Sequence, residues 1–506
     1  MPEISVNSNM KKIILLCGLI ITTFLQAQKT VIKDTSAYFD NYVQNAIRDW
    51  QIPGLAIAVV KDGKVKFKKT YGVRSLNTNE KVDNETLFAC ASTTKAMTAL
   101  AMGILVDQGK VQWDDKVAKY IPHFKLSDPF VTADIRVRDL FLHNSGLGNT
   151  DFLWTFDDVS GDEIIRRMQF VEPSYGYRAG FIYQNIFYHM AGKVIEEVSG
   201  MSWANFVTKH IFLPLGMTHT QALHSWIRST NVSMPHFMIE NKVTEILKDT
   251  ADRIPAAGSV NSTIDDIVLW MQCMIDSSKY NGGRLVSEKT WITLLQPQTF
   301  VTEEGFYPTA QITKPHFTTY ALGWFQQDYK GEKLNFHTGS LSGEIAIHGQ
   351  IPDKKVGVYI FANLDHAEAR HALMLKALDV YALGETKDWE KEFYVLYKNI
   401  HDKKEAAEKA IYDKRVLNTS PSKSLDQYAG LYKNNLMGSI EIKLENGQLV
   451  ANNVKLGKGI LQHFNYDSFL IVWNHKWQSK IGIQFILSPL GDVKSLNLGE
   501  YSFQKQ

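Results

Sequence analysis

The stretch that most constrains this chain runs from Leu87 to Asp107 and reads LFACASTTKAMTALAMGILVD. Between Lys95 and Asp107 it carries no charge, and its apolar residues go all the way round a helix instead of forming one stripe. A helix of that pattern is buried on every side. At about 11–12 residues it is too short to cross a bilayer, so the burial has to be inside protein. Its first turn carries Ser92, Thr93 and Lys95. The positive end of the helix dipole and desolvation both disfavour a cation there, which makes the lysine a base near neutral pH. Ser92, three residues earlier on the same face, then stands as a nucleophile beside its base, at the amide-rich end where an oxyanion is held. The spacing alone is not decisive, because Ser-x-x-Lys recurs at Ser8/Lys11, Ser420/Lys423 and Ser502/Lys505, in a polar leader, a linker and the tail. An N-capping Ser92 with a snorkelling Lys95 explains the motif equally well, and the rest of the chain decides.

Met10-Lys11-Lys12, the apolar run Ile13 to Leu25 and the close Gln26-Ala27-Gln28 have the form of a secretory signal peptide over residues 1–28, with the true start at Met10. The expected product is periplasmic or secreted, with no membrane anchor. Cys90 and Cys273 lie in apolar stretches and read as small buried hydrophobes; two cysteines make no disulfide framework in so long a chain. A formal net charge of +2 gives no electrostatic case for nucleic acid or an anionic membrane surface.

Asp34 to Trp50 reads as an amphipathic helix, and Leu55 to Val60 and Lys64 to Lys69 as strands joined by the hairpin turn Asp62-Gly63. From Asp114 to Leu285 the sequence is mainly helical. Strands return at Tyr320 to Asp328, Lys333 to His337, Glu344 to Ile351 and Val356 to Ala362, followed by a helix from His366 to Leu383. The economical arrangement is an α/β domain over 29–386, with one antiparallel sheet assembled from both ends of the domain and flanked by helices, carrying a mostly helical insert. Residues 387–424 form a charged helical linker. From Leu425 to the C-terminus six short runs, Tyr428 to Tyr432, Ser439 to Leu444, Gln448 to Asn452, Phe469 to Trp473, Ile481 to Leu487 and Ser495 to Leu498, with Gly turns between them, predict a small all-β barrel.

Two further groups bear on Ser92 and Lys95. Tyr183, in Tyr183-Gln184-Asn185 before a helix, is a phenol able to relay a proton beside a lysine, and Asn185 offers a donor and an acceptor to a substrate amide. His337-Thr338-Gly339-Ser340 ends a strand, where small residues let a ligand add to the sheet edge and the Ser340 amide stands as a second oxyanion donor beside that of Ser92. There is no Gly-x-Ser-x-Gly and no His-Glu-x-x-His, so neither an α/β-hydrolase nor that kind of metalloenzyme is expected, and no metal or cofactor is called for.

Ser92-x-x-Lys95, Tyr183-x-Asn185 and His337-Thr338-Gly339, in that order, resemble the three active-site motifs of the β-lactamase and penicillin-binding-protein-like serine hydrolases, with intervals similar to the class C branch. The stretches PGLAIAVVKDGK, VRDLFLHNSGL, IFLPLGMTHT, AAGSVNSTIDDIVLW and HTGSLSGE extend the resemblance from about Tyr38 to Gly384. The opening LDQYAGLY of the tail resembles a lipocalin-like C-terminal domain. The resemblance implies an acyl-enzyme on Ser92, proton handling by Lys95 and Tyr183, and substrate held by Asn185, His337, Thr338, Gly339 and Ser340, with backbone oxyanion donors at Ser92 and Ser340. It departs at His337, where β-lactamases usually carry lysine; a mostly neutral histidine weakens carboxylate recognition and points to a small ester or amide of peptide or D-amino-acid type. The alternatives are a β-lactamase or D-alanyl-D-alanine carboxypeptidase, and, from another class, an idle peptidoglycan- or lipid-binding protein. The partner implied is a small-molecule or short peptide substrate, and a homo-oligomer is compatible with it.

Overall fold

The hairpin of β1 (Gly54–Lys61) and β2 (Lys64–Gly72) starts a sheet that the chain leaves and completes some 230 residues later. In the computed structural model, which describes residues 34–385 and 387–506, the returning strands are β3 (Thr299–Phe300), β4 (Thr318–Ala321), β5 (Trp324–Tyr329), β6 (Glu332–Leu341), β7 (Glu344–Ile351) and β8 (Val356–Ala362). The order across the antiparallel sheet is β2-β1-β8-β7-β6-β5-β4-β3, so β1 closes on β8, with Ile57 opposite Ile360. The sheet assembled from both ends of the domain is therefore present as expected. The signal-peptide reading lies outside the described residues.

Both faces of this sheet are covered, which is why β1 and β8 read as nearly continuous apolar runs and every residue of β7 is buried. One face packs against α1 (Thr35–Asp49) and α6 (Ala369–Leu378), with Phe39, Ile57, Ile347, Leu373 and Leu378 in its core. The other face holds the helical insert, including α2 (Thr94–Asp107), α4 (Asn185–Ser199) and α5 (Ile264–Ile275). Twelve of the fourteen residues of α2 are buried, Lys95 among them. Among the described residues no helix is long and apolar enough to cross a membrane. Cys90 and Cys273 are buried free thiols.

Two expectations change in detail. Tyr320 to Asp328 is not one strand but the hairpin β4–β5, folded at Gly323, whose φ of +87° suits glycine. A Cβ there would also lie 2.9 Å from the Ala96 Cα, so the turn is pressed onto the start of α2. The C-terminal domain has two strands more than its alternating runs suggested. They are β12 (Gly457–Asn465), hidden behind Gly457 and Gly459, and β16 (Tyr501–Lys505), which read as a tail. With β9 (Gly430–Asn434), β10 (Gly438–Glu445), β11 (Gln448–Asn453), β13 (Ser468–Trp473), β14 (Ile481–Leu487) and β15 (Val493–Leu498) they close an eight-stranded barrel in sequence order. Its interior is filled by side chains such as Tyr428, Ile440, Ile471, Phe485 and Phe503. Helix α7 (Trp389–Asp413) leads into it from the sheet domain.

Candidate active site

Ser92 does not sit in α2 itself but in the 3₁₀ turn Ala91–Thr93 immediately before it. Ala91 takes a left-handed φ of +46°, a conformation that costs a non-glycine residue of order 1 kcal/mol and recurs at functional sites. The bend leaves Ser92 half-buried at the bottom of a narrow cleft while its neighbours are buried. Glycine at 339 makes the turn fit: a Cβ there would lie 2.3 Å from the Cys90 carbonyl oxygen and 3.0 Å from the Ser92 nitrogen. Gly339 thus brings β6 against the backbone of the nucleophile turn, which sets Ser92 and Ser340 side by side.

Lys95 is wholly buried, and its Nζ donates to Ser92 Oγ at 2.9 Å, to Asn185 Oδ1 at 2.6 Å and to the Ala257 carbonyl at 2.8 Å. These acceptors fix the ammonium in place, yet burial outweighs the nearby Asp151 carboxylate and lowers its pKa to about 7. Tyr183 lies over the same amine, its ring centroid 4.9 Å from Nζ. Its buried hydroxyl approaches Ser92 but falls short of a hydrogen bond of ordinary geometry, and burial pushes its pKa well above the usual value, so it is a neutral phenol. The structure therefore brings Ser92, Lys95, Tyr183 and Asn185 to one point.

The third motif is arranged differently. His337 is buried, its Nδ1 lies 2.6 Å from the Thr338 carbonyl and its Nε2 2.9 Å from the Tyr320 hydroxyl. A carbonyl can only accept, so Nδ1 carries the proton and Nε2 accepts from Tyr320. Burial, with Lys95 nearby, lowers the His337 pKa to about 3. The imidazole is neutral, with both nitrogens engaged inside the protein. Thr338 Oγ1 is paired with the Tyr307 hydroxyl at 2.6 Å. Beyond Phe336, β6 has no partner on the β5 side, so its edge from His337 to Leu341 pairs only with β7. Ser340 and Leu341 line the cleft with Ser92, Trp154, Asn185 and Ala257.

Three contributors escaped sequence reasoning. Asp151 Oδ1 accepts from Asn185 Nδ2 at 2.8 Å and from Trp154 Nε1 at 3.1 Å, anchoring the amide that holds Lys95. Arg370 donates to Ser340 Oγ at 2.9 Å and to the Gly339 carbonyl at 2.7 Å, while Glu368 neutralises it through two further bonds of 3.0 Å. Ser340 Oγ accepts from Arg370, so its own proton is free for a ligand. His143, with a left-handed φ of +56°, stacks on Tyr183 at a centroid distance of 4.3 Å. The HNSGL string marked that loop, but nothing in the sequence tied it or Asp151 to the Lys95 amine.

The beta-lactamase family model matches residues 39–382, and the model of a domain of unknown function, DUF3471, matches residues 414–506. Among curated proteins, unguisins hydrolase ungD of Aspergillus violaceofuscus is 26% identical over 498 residues, covering 91% of this chain and 87% of that protein. Protein flp of Staphylococcus aureus is 26% identical over 344 residues, 66% of this chain and 64% of flp. Among solved structures, the octameric penicillin-binding protein homologue from Pyrococcus abyssi superposes with a TM-score of 0.61 at 22% identity, over 92% of this chain and 99% of that one. A structure described as SurE gives a TM-score of 0.55 at 18% identity, over 93% and 99% of the respective chains.

Proposed function

The chain belongs to the beta-lactamase family of serine hydrolases, and from that premise we propose that it cleaves a small ester or amide, of peptide or D-amino-acid type, through an acyl-Ser92 intermediate. The observation that carries this reading is the 2.9 Å contact of Lys95 Nζ with Ser92 Oγ, made by an amine whose pKa is lowered to about 7. Unprotonated Lys95 takes the Ser92 proton as Oγ adds to the substrate carbonyl. The tetrahedral oxyanion is received by the backbone amides of Ser92 and Ser340. As the bond to the leaving group breaks, the proton passes from Lys95 to that group, directly or by way of Tyr183. Held as a neutral phenol, Tyr183 relays a proton and does not abstract one. Water then attacks the acyl ester, gives its proton to Lys95 and restores Ser92.

Among the described residues of the third motif and its surroundings, His337 is neutral and enclosed and Arg370 is already neutralised by Glu368, so neither is a free cation for a β-lactam carboxylate. This favours a neutral ester or amide over penicillin turnover. That the relative matched over most of the chain is named a hydrolase supports turnover over an idle binding site. Export by the leader is part of the same reading, and fractionation of cells expressing the full chain tests it.

The deciding experiment incubates wild type and Ser92→Ala with a fluorophosphonate probe and with p-nitrophenyl esters, D-amino-acid amides and nitrocefin. The expected result is one probe mass added at Ser92, ester or amide turnover that falls at least a thousandfold in Ser92→Ala, and slow nitrocefin hydrolysis. An unlabelled wild type, or a Ser92→Ala variant as fast as wild type, overturns the reading. Rapid nitrocefin turnover assigns the site to the β-lactamase alternative.

A further inference from the structure

We propose that the C-terminal barrel is a working part of the catalytic cleft: one end of it holds two of the segments that line the cleft, and the alignment of Ser92 and Lys95 depends on that docking. The proposal rests on the acyl-Ser92 reading above.

In a barrel whose antiparallel strands follow one another in sequence, alternate connections emerge at the same end. The connections β9–β10, β11–β12, β13–β14 and β15–β16 share one end, and each of them meets the hydrolase domain. Leu436 of the first gives its carbonyl to Arg167 Nη1 at 3.3 Å. In the second, Lys455 donates to Asp249 Oδ1 at 3.1 Å. The third offers Lys476 to Glu240 at 2.9 Å. Tyr501, at the close of the fourth, packs its ring 5.2 Å from that of Phe152. Phe156, a residue of the hydrolase domain, belongs to the barrel's own apolar core and closes that end beside Phe503. With the interior filled and its end plugged by a neighbouring domain, the barrel is built for docking, not for holding an apolar ligand.

What it docks on decides the inference. Phe152 and Phe156 lie on one face of the short helix α3 (Phe152–Thr155 by its hydrogen bonds), and Asp151 and Trp154 belong to the same turn. The Phe156 ring goes into the barrel core, and the Phe152 ring packs against it. Asp151 goes to Asn185, which holds Lys95, and Trp154 lines the cleft. On a second segment of the cleft lining, the barrel-bound Asp249 is two residues from Ala251, and Ala251 and Ile254 also line the cleft. Arg253 Nη1 ties the two segments together by donating to the Asp157 carbonyl at 3.0 Å.

The test uses the full chain and follows fluorophosphonate labelling of Ser92 by intact mass across the pH range, in wild type, Phe156→Ala, Phe156→Leu and Lys455→Glu. Phe156→Ala is expected to slow labelling at least tenfold, Lys455→Glu about threefold, and Phe156→Leu to restore most of the rate. Groups facing Lys95 are Asp151 from the α3 turn, Tyr183 and Tyr188 at and within α4, His143 from its loop and His337 from β6. Of these, Asp151 is the carboxylate that retains the lysine proton, so loosening α3 also moves the labelling midpoint to lower pH. A merely stabilising appendage would leave that midpoint alone. Labelling within twofold of wild type in both Phe156→Ala and Lys455→Glu, or slower labelling with an unmoved midpoint, overturns the proposal. If Phe156→Ala does not fold, Lys455→Glu, at a half-buried position of the interface, decides by the same criteria. A wild type unlabelled at Ser92 would instead remove the acyl-enzyme reading itself, a result distinct from these.

Discussion

Lys95 is held in a state that an exposed lysine does not reach, and its proton affinity has consequences beyond catalysis. Its pKa falls from the ordinary 10.5 to about 7 because burial penalises the ammonium. Between those two values the unfolded chain binds a proton that the folded chain has lost. Stability from this group therefore rises with pH across the window, by up to about 1.4 kcal/mol per pH unit, and is lowest below about pH 7. Wild type is accordingly expected to gain on Lys95→Met as pH is raised from about 6 to about 9, read as a widening difference in Tm; a constant difference contradicts the burial argument. Acylation of Ser92 should rise over the lower part of the same range as Lys95 loses its proton. At this scale the sequence was informative where the chemistry is local. Ser92 and Lys95 are three residues apart, and no folded context is needed to see that one helix turn joins them. Asp151 and Arg370 were illegible because each acts through a residue far away in sequence, and a carboxylate or guanidinium in a polar loop has no mark of its own. The enclosure of His337 was equally hidden, since it depends on Tyr320 from another strand.

Among elements, the nucleophile turn is shaped from outside. Gly339 on β6 and Gly323 at the β4–β5 bend both touch the backbone around Ser92 to Ala96, and neither leaves space for a methyl group. The string HTGS read as a place where a ligand approaches the strand; the glycine is required first by the protein's own backbone at Cys90 and Ser92. Gly339→Ala is thus expected to cost about 1–3 kcal/mol by overpacking, and to slow probe labelling by at least a hundredfold because the displaced backbone at Cys90 and Ser92 carries the residue with the attacking hydroxyl. A folded Gly339→Ala protein that labels at the wild-type rate would show that the turn is not held from β6. Strand β8 was legible because a short, β-branched apolar run bounded by turn residues fits a strand covered on both faces. Strands β12 and β16 were not, because glycines at the start of one and polar residues along the other mimic turn and tail, and barrel closure alone makes them strands.

At the scale of the whole molecule, the junction between the domains combines an apolar plug with one buried cation. Arg167 is about 8% exposed and bridges Glu163 Oε1 and Asp157 Oδ2, both at 2.9 Å, while also reaching the Leu436 carbonyl of the barrel. Nothing in the sequence joins Arg167 to residue 436. The contact arises only when the barrel's β9–β10 connection is set against the helical insert. Removing the arginine leaves Asp157 with its charge half enclosed and the barrel carbonyl without that donor. Breaking a buried pair from one side costs about 3–5 kcal/mol, far more than an exposed ion pair is worth. Because Phe156 of the hydrolase domain lies in the barrel core and Leu436 of the barrel lies in the hydrolase core, wild type is expected to unfold in a single calorimetric transition. Arg167→Ala should split it, with the barrel and the sheet domain melting apart and the earlier transition lowered by several degrees. The exposed pair Lys476 to Glu240, broken by Lys476→Ala, should change neither the number of transitions nor their midpoints by more than about 1 °C. Two transitions already present in wild type, or one unchanged transition in Arg167→Ala, would show that the domains are joined by the α7 connection alone and not by the plugged end of the barrel.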